Sequence, residues 1–210
     1  MASVLFSPIT LRGLTLPNRA VVSPMCQYNS TDGNANDWHI LHIGQFVLGG
    51  FGLIIAEMTD VNPVGRISLK CAGMYSDDNE KAIKRVIDFA KQYGPSKHGL
   101  QIGHAGRKGS TKPPAFGGTP LSKEEGAWET VAPSAIPYDP TWHVPREMTK
   151  AEMKSTLEDY LSSVKRAERA GYDLLELHAA HGYLLHQFLS PLSNQRTDEY
   201  GGSVEKRMRY

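Results

Sequence analysis

Four short apolar segments punctuate the sequence, and longer stretches with helical periodicity separate them. The cleanest is Gly52-Leu53-Ile54-Ile55-Ala56-Glu57. It is too short for a helix, rich in β-branched residues and free of the apolar/polar alternation of a strand with one wet face. Such a run marks a strand buried on both faces, as in a parallel sheet. Residues 20–23 (ended by Pro24), 99–104 and 173–178 read as its companions. Asp37 is placed to cap a helix beginning near Trp38, carrying Leu41, Phe46 and Leu48 and stopped by Gly49-Gly50. Asp77 opens a second helix, with Ile83, Val86, Ile87, Ala90 and Tyr93 spaced for one face and Gly94-Pro95 as its end. Thr149 and Glu152 form a capping box for a third, marked by Met153, Leu157, Tyr160, Leu161, Val164 and Ala167 up to Gly171. Ser203, with Glu205 in the first turn, begins another.

After a hairpin expected around Leu11-Arg12-Gly13, the order is strand, helix, strand, helix, strand, helix, strand. Parallel strands joined by such crossovers give an α/β sheet. No Gly-x-Gly-x-x-Gly or Walker-type loop supports a Rossmann or P-loop reading. The chemically capable residues cluster after strand carboxyl ends: Cys26, Gln101, His104, His178 and His181. That is where a (β/α)8 TIM barrel keeps its active site. A closed barrel needs eight strands and typically ~250 residues, whereas 210 residues yield about four βα units. Residues 1–210 are therefore expected to be the N-terminal half of a single barrel domain, ending before strand five and exposing two sheet edges. Residues 105–148, rich in Gly, Pro, Ser and Thr, are expected to be a functional or disordered segment.

Composition narrows the function. Hydrophobic residues are 40% and charged residues 21%, a globular balance. Lys plus Arg is 23 against Asp plus Glu at 22, so no basic field is available for nucleic acid. The longest purely apolar run, Leu53-Ile54-Ile55-Ala56, is too short to span a bilayer. The first residues, Met1-Ala-Ser-Val-Leu-Phe, lack the basic region of a signal peptide. Two cysteines, Cys26 and Cys71, make no disulfide scaffold and suit a reducing compartment. A cytoplasmic protein is expected.

His178-Ala-Ala-His181-Gly-Tyr183 is the most informative motif. His-x-x-His could offer metal ligands, but it lacks the Glu and spacing of His-Glu-x-x-His, so no metal site is assigned. One histidine could instead cap the strand while the other packs beneath the loop. As a functional pair, two imidazole N–H groups can hold one substrate carbonyl oxygen, and Tyr183, protonated at neutral pH, can donate a proton. Cys26, in Ser23-Pro24-Met25-Cys26-Gln27-Tyr28, is either a small packing residue or a group at the site mouth. Tyr28 either packs or faces substrate. Gln101 and His104 are expected on one face of their strand, where the Gln amide could read the imide edge of a heterocycle; a satisfied polar pair in the core is the plainer alternative. Cys71 is expected to be structural and Arg107-Lys108 a solvated pair.

Several of these segments recur together in one family. Leu16-Pro17-Asn18-Arg19, Ser23-Pro24-Met25-Cys26-Gln27-Tyr28, Val61-Asn62-Pro63-Val64-Gly65-Arg66, Gln101-Ile102-Gly103-His104-Ala105-Gly106-Arg107-Lys108 and Ala132-Pro133-Ser134-Ala135-Ile136 stand in order. His178-Ala-Ala-His181-Gly-Tyr183 and the run from Phe188 through Asn194-Gln195-Arg196-Thr197-Asp198-Glu199-Tyr200-Gly201-Gly202 follow them. Over essentially its whole length the chain resembles the Old Yellow Enzyme family of flavin-dependent ene-reductases, within it the bacterial thermophilic-like subgroup that includes xenobiotic reductase A. The resemblance implies a (β/α)8 barrel holding FMN non-covalently, reduced by NAD(P)H and reoxidised by an activated alkene such as an unsaturated carbonyl or nitro compound. It implies that His178 and His181 hold the substrate oxygen, that Tyr183 donates the proton and that Cys26 tunes the flavin. It further implies that Tyr28 helps bind substrate, that Gln101 bonds the ring and that Ser23, Pro24, Met25 and Met58 line it, largely through backbone groups. Met58 stands where relatives often carry a smaller residue. A homo-oligomer is expected at full length. Family elements that grip the flavin phosphate, and a basic residue on strand five, have no counterpart within 1–210, so weak FMN binding and an inactive fragment are expected of this chain alone. Alternatives are a non-catalytic half-barrel that oligomerises and the N-terminal part of a 2,4-dienoyl-CoA reductase-like enzyme. Cys26 and Gln27-Tyr28 favour the simpler subgroup.

Overall fold

The computed structural model describes residues 3–210; Met1 and Ala2, part of the stretch read above for a signal peptide, lie outside the described residues. The expected hairpin is present, with β1 (Ile9–Leu11) antiparallel to β2 (Leu14–Leu16) and Ile9 opposite Leu16. In chain order there follow β3 (Val21–Val22), α1 (Asp37–Leu48), β4 (Leu53–Asp60), α2 (Asp77–Ala90) and β5 (Lys97–Gly103). The short β6 (Val131–Ala132) and β7 (Arg146–Glu147) precede α3 (Lys150–Ala170), β8 (Leu174–Leu177), α4 (Leu184–Leu189) and α5 (Val204–Arg207).

Strands β3, β4, β5 and β8 lie side by side in that order, all parallel. Each new strand joins the same edge, without the reversal of a doubly wound sheet. Right-handed crossovers that all step one way put the helices on one face, and α1, α2 and α3 pack there against their neighbours. The core lies between helices and sheet: Val22, Ile54, Leu100 and Ile102 from the strands meet Ile43, Val47, Ile83, Val86 and Ala167 from the helices. The opposite sheet face lines a concave interior. These are the first βα units of a (β/α)8 barrel.

Local chemistry accounts for the boundaries. The cap of α1 is Asn36 rather than Asp37: Asn36 accepts the Trp38 amide and the His39 ring accepts the Asn36 amide. Asp37 is already helical, and its carboxylate meets Arg85 instead. Ser76 caps α2, which ends at Ala90 ahead of the Gly94-Pro95 stop, leaving Tyr93 exposed. Thr149 and Glu152 make the expected capping box, and Gly171 closes α3 at φ 92°, a conformation that favours glycine. Leu157 and Leu161 of α3 are exposed beside Leu177 at the free edge of the sheet. Strand β4 continues past Glu57 to Asp60, with a register irregularity between Ala56 and Thr59.

Residues 105–148 are ordered: two 3-10 turns, Gly106–Lys108 and Pro114–Phe116, lead to β6, which pairs with β7. Arg196 fastens this segment. Its buried guanidinium donates to the carbonyls of Pro133 (3.2 Å) and Met148 (2.7 Å) and pairs with Asp198 (2.6 Å). No described helix is long and apolar enough to cross a membrane.

Candidate active site

The inner face of the four strands and the loops after them enclose a cavity of about 530 Å3. Ser23, Pro24, Cys26, Met58, Gln101, His178, His181 and Tyr183 all line it, together with Val21, Ile55 and Glu176. Tyr28 sits behind Cys26, packed with it and Tyr183 against Met58, Ile67, Cys71 and Ala105. Met25 is 45% exposed and outside the lining; its carbonyl accepts the Gln27 side-chain amide (2.7 Å).

The His-x-x-His-x-Tyr motif is the turn leaving β8. His181 takes φ 55° and Gly182 φ 77°, which brings the His178 ring within 5.1 Å of His181 and 4.7 Å of Tyr183, centroid to centroid and nearly edge-on. A left-handed histidine is strained and persists only where its surroundings hold it. Two side chains supply that hold. Lys108 donates to the His181 carbonyl (2.9 Å) while its ammonium lies over the Tyr183 and Tyr138 rings at 4.7 and 4.8 Å. Gln187, wholly buried in α4, donates to the carbonyls of Gly182 (2.7 Å) and Ala105 (3.0 Å), joining the loops after β8 and β5.

The protonation pattern follows from these contacts. The Ala180 amide donates to His178 Nδ1 (3.3 Å), which leaves the ring proton on Nε2. Burial, then the neighbouring His181, hold His178 below its ordinary pKa, so it is a neutral N–H donor. Burial also raises the Tyr183 phenol above its usual value, and it stays protonated. The Cys26 thiol is pushed up to about 12 by burial and then by the Glu57 and Asp60 carboxylates, which keeps it from acting as a thiolate nucleophile. Gln101 donates to Glu176 Oε1 (2.6 Å), a residue directly opposite in the β5–β8 register; its amide oxygen has no partner among the described residues.

Two expectations fail here. Gln101 and His104 are not on one face: their spacing is odd, and strand side chains alternate. Gln101 faces the cavity, while His104 lines a separate crevice with Asn62, Glu152 and Asp159. Nor are Arg107 and Lys108 a solvated pair. Arg107 donates to the carbonyls of Ile136 and Pro137, and Lys108 serves the His181 turn. Glu57, Glu176 and Gln187 were not singled out from sequence. A charged residue inside or ending a buried strand is a usable signal for the two glutamates; nothing local distinguishes Gln187.

Residues 4–210 match the NADH:flavin oxidoreductase / NADH oxidase family. An NADH:flavin oxidoreductase of Gibberella zeae is 48% identical over 97% of this chain and 50% of its own length. An NADPH dehydrogenase of Geobacillus thermodenitrificans is 44% identical over 100% of this chain and 58% of its own. Among solved structures, morphinone reductase in complex with tetrahydroNAD superposes with TM-score 0.85 at 31% identity, over 99% of this chain and 58% of that one. An Old Yellow Enzyme from a Pichia species gives 0.84 at 29% identity, over 98% and 53%. The chain thus spans about half the length of the relatives it matches.

Proposed function

The chain belongs to the NADH:flavin oxidoreductase / NADH oxidase family, and from that membership we propose that it carries the catalytic groups of an enzyme that reduces the C=C bond of activated alkenes. FMN is the cofactor, with NAD(P)H as reductant. The residues present fit the ring of that group. The cavity lies within the usual volume range of cofactor pockets, Ile55, Pro24 and Met58 offer apolar walls, and the free amide oxygen of Gln101 suits the imide edge of a heterocycle. No arginine or lysine is among the described residues of the lining, so these residues address the ring rather than the phosphate.

The observation that carries the proposal is the convergence of a neutral imidazole N–H, a second imidazole and a protonated phenol on one cavity. FMN when bound supplies the two-electron redox chemistry. His178 Nε2–H and His181 hold the carbonyl or nitro oxygen of the substrate and stabilise the charge that gathers there. Tyr183 gives its proton to the α-carbon as the β-carbon is reduced. Met58 lies against the ring, Tyr28 backs the substrate space from behind Cys26, and the protonated Cys26 thiol tunes the ring environment without attacking anything. The test is anaerobic: full-length enzyme isolated with its flavin is reduced by NAD(P)H and then mixed with 2-cyclohexenone. Reoxidation with one equivalent of cyclohexanone is expected; a flavin that oxygen reoxidises but the enone does not would refute the assignment.

A further inference from the structure

Glu57 is a charged residue at the centre of the fold, 6% exposed; its charge helps hold the Cys26 thiol protonated, but it does not line the cavity. A buried carboxylate is costly unless its oxygens are bonded, and here both are. Oε1 is 3.1 Å from His39 Nε2, and Oε2 accepts the backbone amide of Gln27 at 2.8 Å. The His39 ring is set in turn, because its Nδ1 accepts the Asn36 amide at the cap of α1, which leaves Nε2–H to donate to Glu57. Trp38, the next residue of that helix, donates to the Gln27 side-chain oxygen (3.0 Å). One loop residue is therefore tied to β4 and to α1 at once.

That residue lies between the two the site uses. Cys26 precedes Gln27 and lines the cavity; Tyr28 follows it at φ 50°, a left-handed conformation that a residue with a side chain keeps only under restraint. We propose that Glu57, set by His39, is a positioning residue that clamps the Gln27 amide and so fixes Cys26 at the cavity and Tyr28 behind it. The irregular register of β4 makes this possible. Ile55 and Met58 both line the cavity although three residues apart, which strict alternation forbids. The slip between Ala56 and Thr59 re-aims the strand, so that Met58 faces the cavity while Glu57 reaches the loop and helix. A plain strand-to-helix ion pair would need His39 alone; the bond to a loop amide is the added element. The functional meaning of the clamp rests on reading the cavity as a flavin and alkene site, whereas the clamp itself does not.

The test separates the two. Hydrogen exchange followed by NMR in the whole chain reads the Gln27 amide directly, with Leu100 in β5 as the control for global opening. The clamp predicts that Gln27, though in a loop, is protected in the unmodified protein; an unprotected Gln27 overturns it without recourse to any variant. In Glu57→Met, which leaves the amide without an acceptor, Gln27 exchange is expected to rise about tenfold and by more than any rise at Leu100, the equivalent of losing one hydrogen bond to a charged group. Unchanged Gln27 exchange would overturn the clamp. Trp38→Phe, which leaves the amide bond in place, is expected to keep Gln27 protected. The positioning role has its own readout in full-length protein isolated with its flavin: the visible band of Glu57→Met should move in the direction that Cys26→Ala moves it. A band shifted by Cys26→Ala and untouched by Glu57→Met would overturn that role. Full-length protein containing residues 1–210 that takes no flavin would instead overturn the site assignment and leave the clamp to stand or fall on exchange.

Discussion

Replacing Tyr183 by Phe removes one oxygen and little else. The ring packs with Cys26 and Tyr28 against Met58, Ile67, Cys71 and Ala105, and stands edge-on to His178. Phe keeps all of that. The phenol makes no hydrogen bond to a described residue, so stability should change by less than about 1 kcal/mol. The chemical loss is larger. A positioned general acid contributes roughly 10²–10⁴-fold, or about 3–5 kcal/mol of barrier. Because burial raises the phenol's pKa, it is already fully protonated at neutral pH and the deficit should not vary between pH 6 and 9. Stopped-flow kinetics separates the half-reactions. NAD(P)H should reduce the flavin of Tyr183→Phe at the unmodified rate, while reoxidation by an enone slows at least about a hundredfold. Equal slowing of both steps, or reoxidation within a factor of about three of the unmodified protein, would refute the proton-donor argument.

Other consequences follow from packing and charge. A Cβ on Gly103 would lie 2.7 Å from Met58 Sδ and 3.3 Å from His178 Cβ. Gly103→Ala should therefore cost about 1–3 kcal/mol by overpacking, and in a Met58→Ala background the cost should shrink measurably in denaturant melts, since the two share one space. His104 is wholly buried, and burial lowers its pKa to about 4 against about 6.5 in the unfolded chain. The unfolded chain binds more protons between those values, so stability is full above about pH 6.5 and falls as pH drops towards 4, by about 3 kcal/mol from this group. Since burial lowers His98, His178 and His42 as well, His104→Asn, which can still accept the Gly106 amide, should weaken that pH dependence without abolishing it. Arg196→Lys should lose about 2–4 kcal/mol in thermal or denaturant unfolding, because an ammonium cannot reach the Pro133 and Met148 carbonyls and Asp198 together.

The fold was legible where one force dominated. Leu53–Ala56 declared a buried strand, and the Thr149/Glu152 box and Gly171 marked both ends of α3. The boundaries that moved were decided by partners distant in sequence or by competing local bonds. Asn36 displaced Asp37 because the His39 ring could return to its amide, and β4 lengthened because β5 and Gly73 offered its last residues partners. The residues gathered at the cavity were legible from their positions after strand ends and from a family resemblance. Their supports were not. Gln187 acts through Gly182 and Ala105, Lys108 through His181 and Glu57 through Gln27, and each of these bonds links segments that only the sheet brings together. The mistaken pairing of Gln101 with His104 shows the same limit from the other side: alternation alone separates them, and the chemistry of two polar residues on one strand masked it.

The most direct test of the account is a crystal structure of the flavin-loaded protein with 2-cyclohexenone bound. The account predicts the enone oxygen within hydrogen-bond distance of His178 Nε2 and of His181, and its α-carbon next to the Tyr183 phenol. An enone bound elsewhere, or bound with its oxygen turned from both imidazoles, would contradict it.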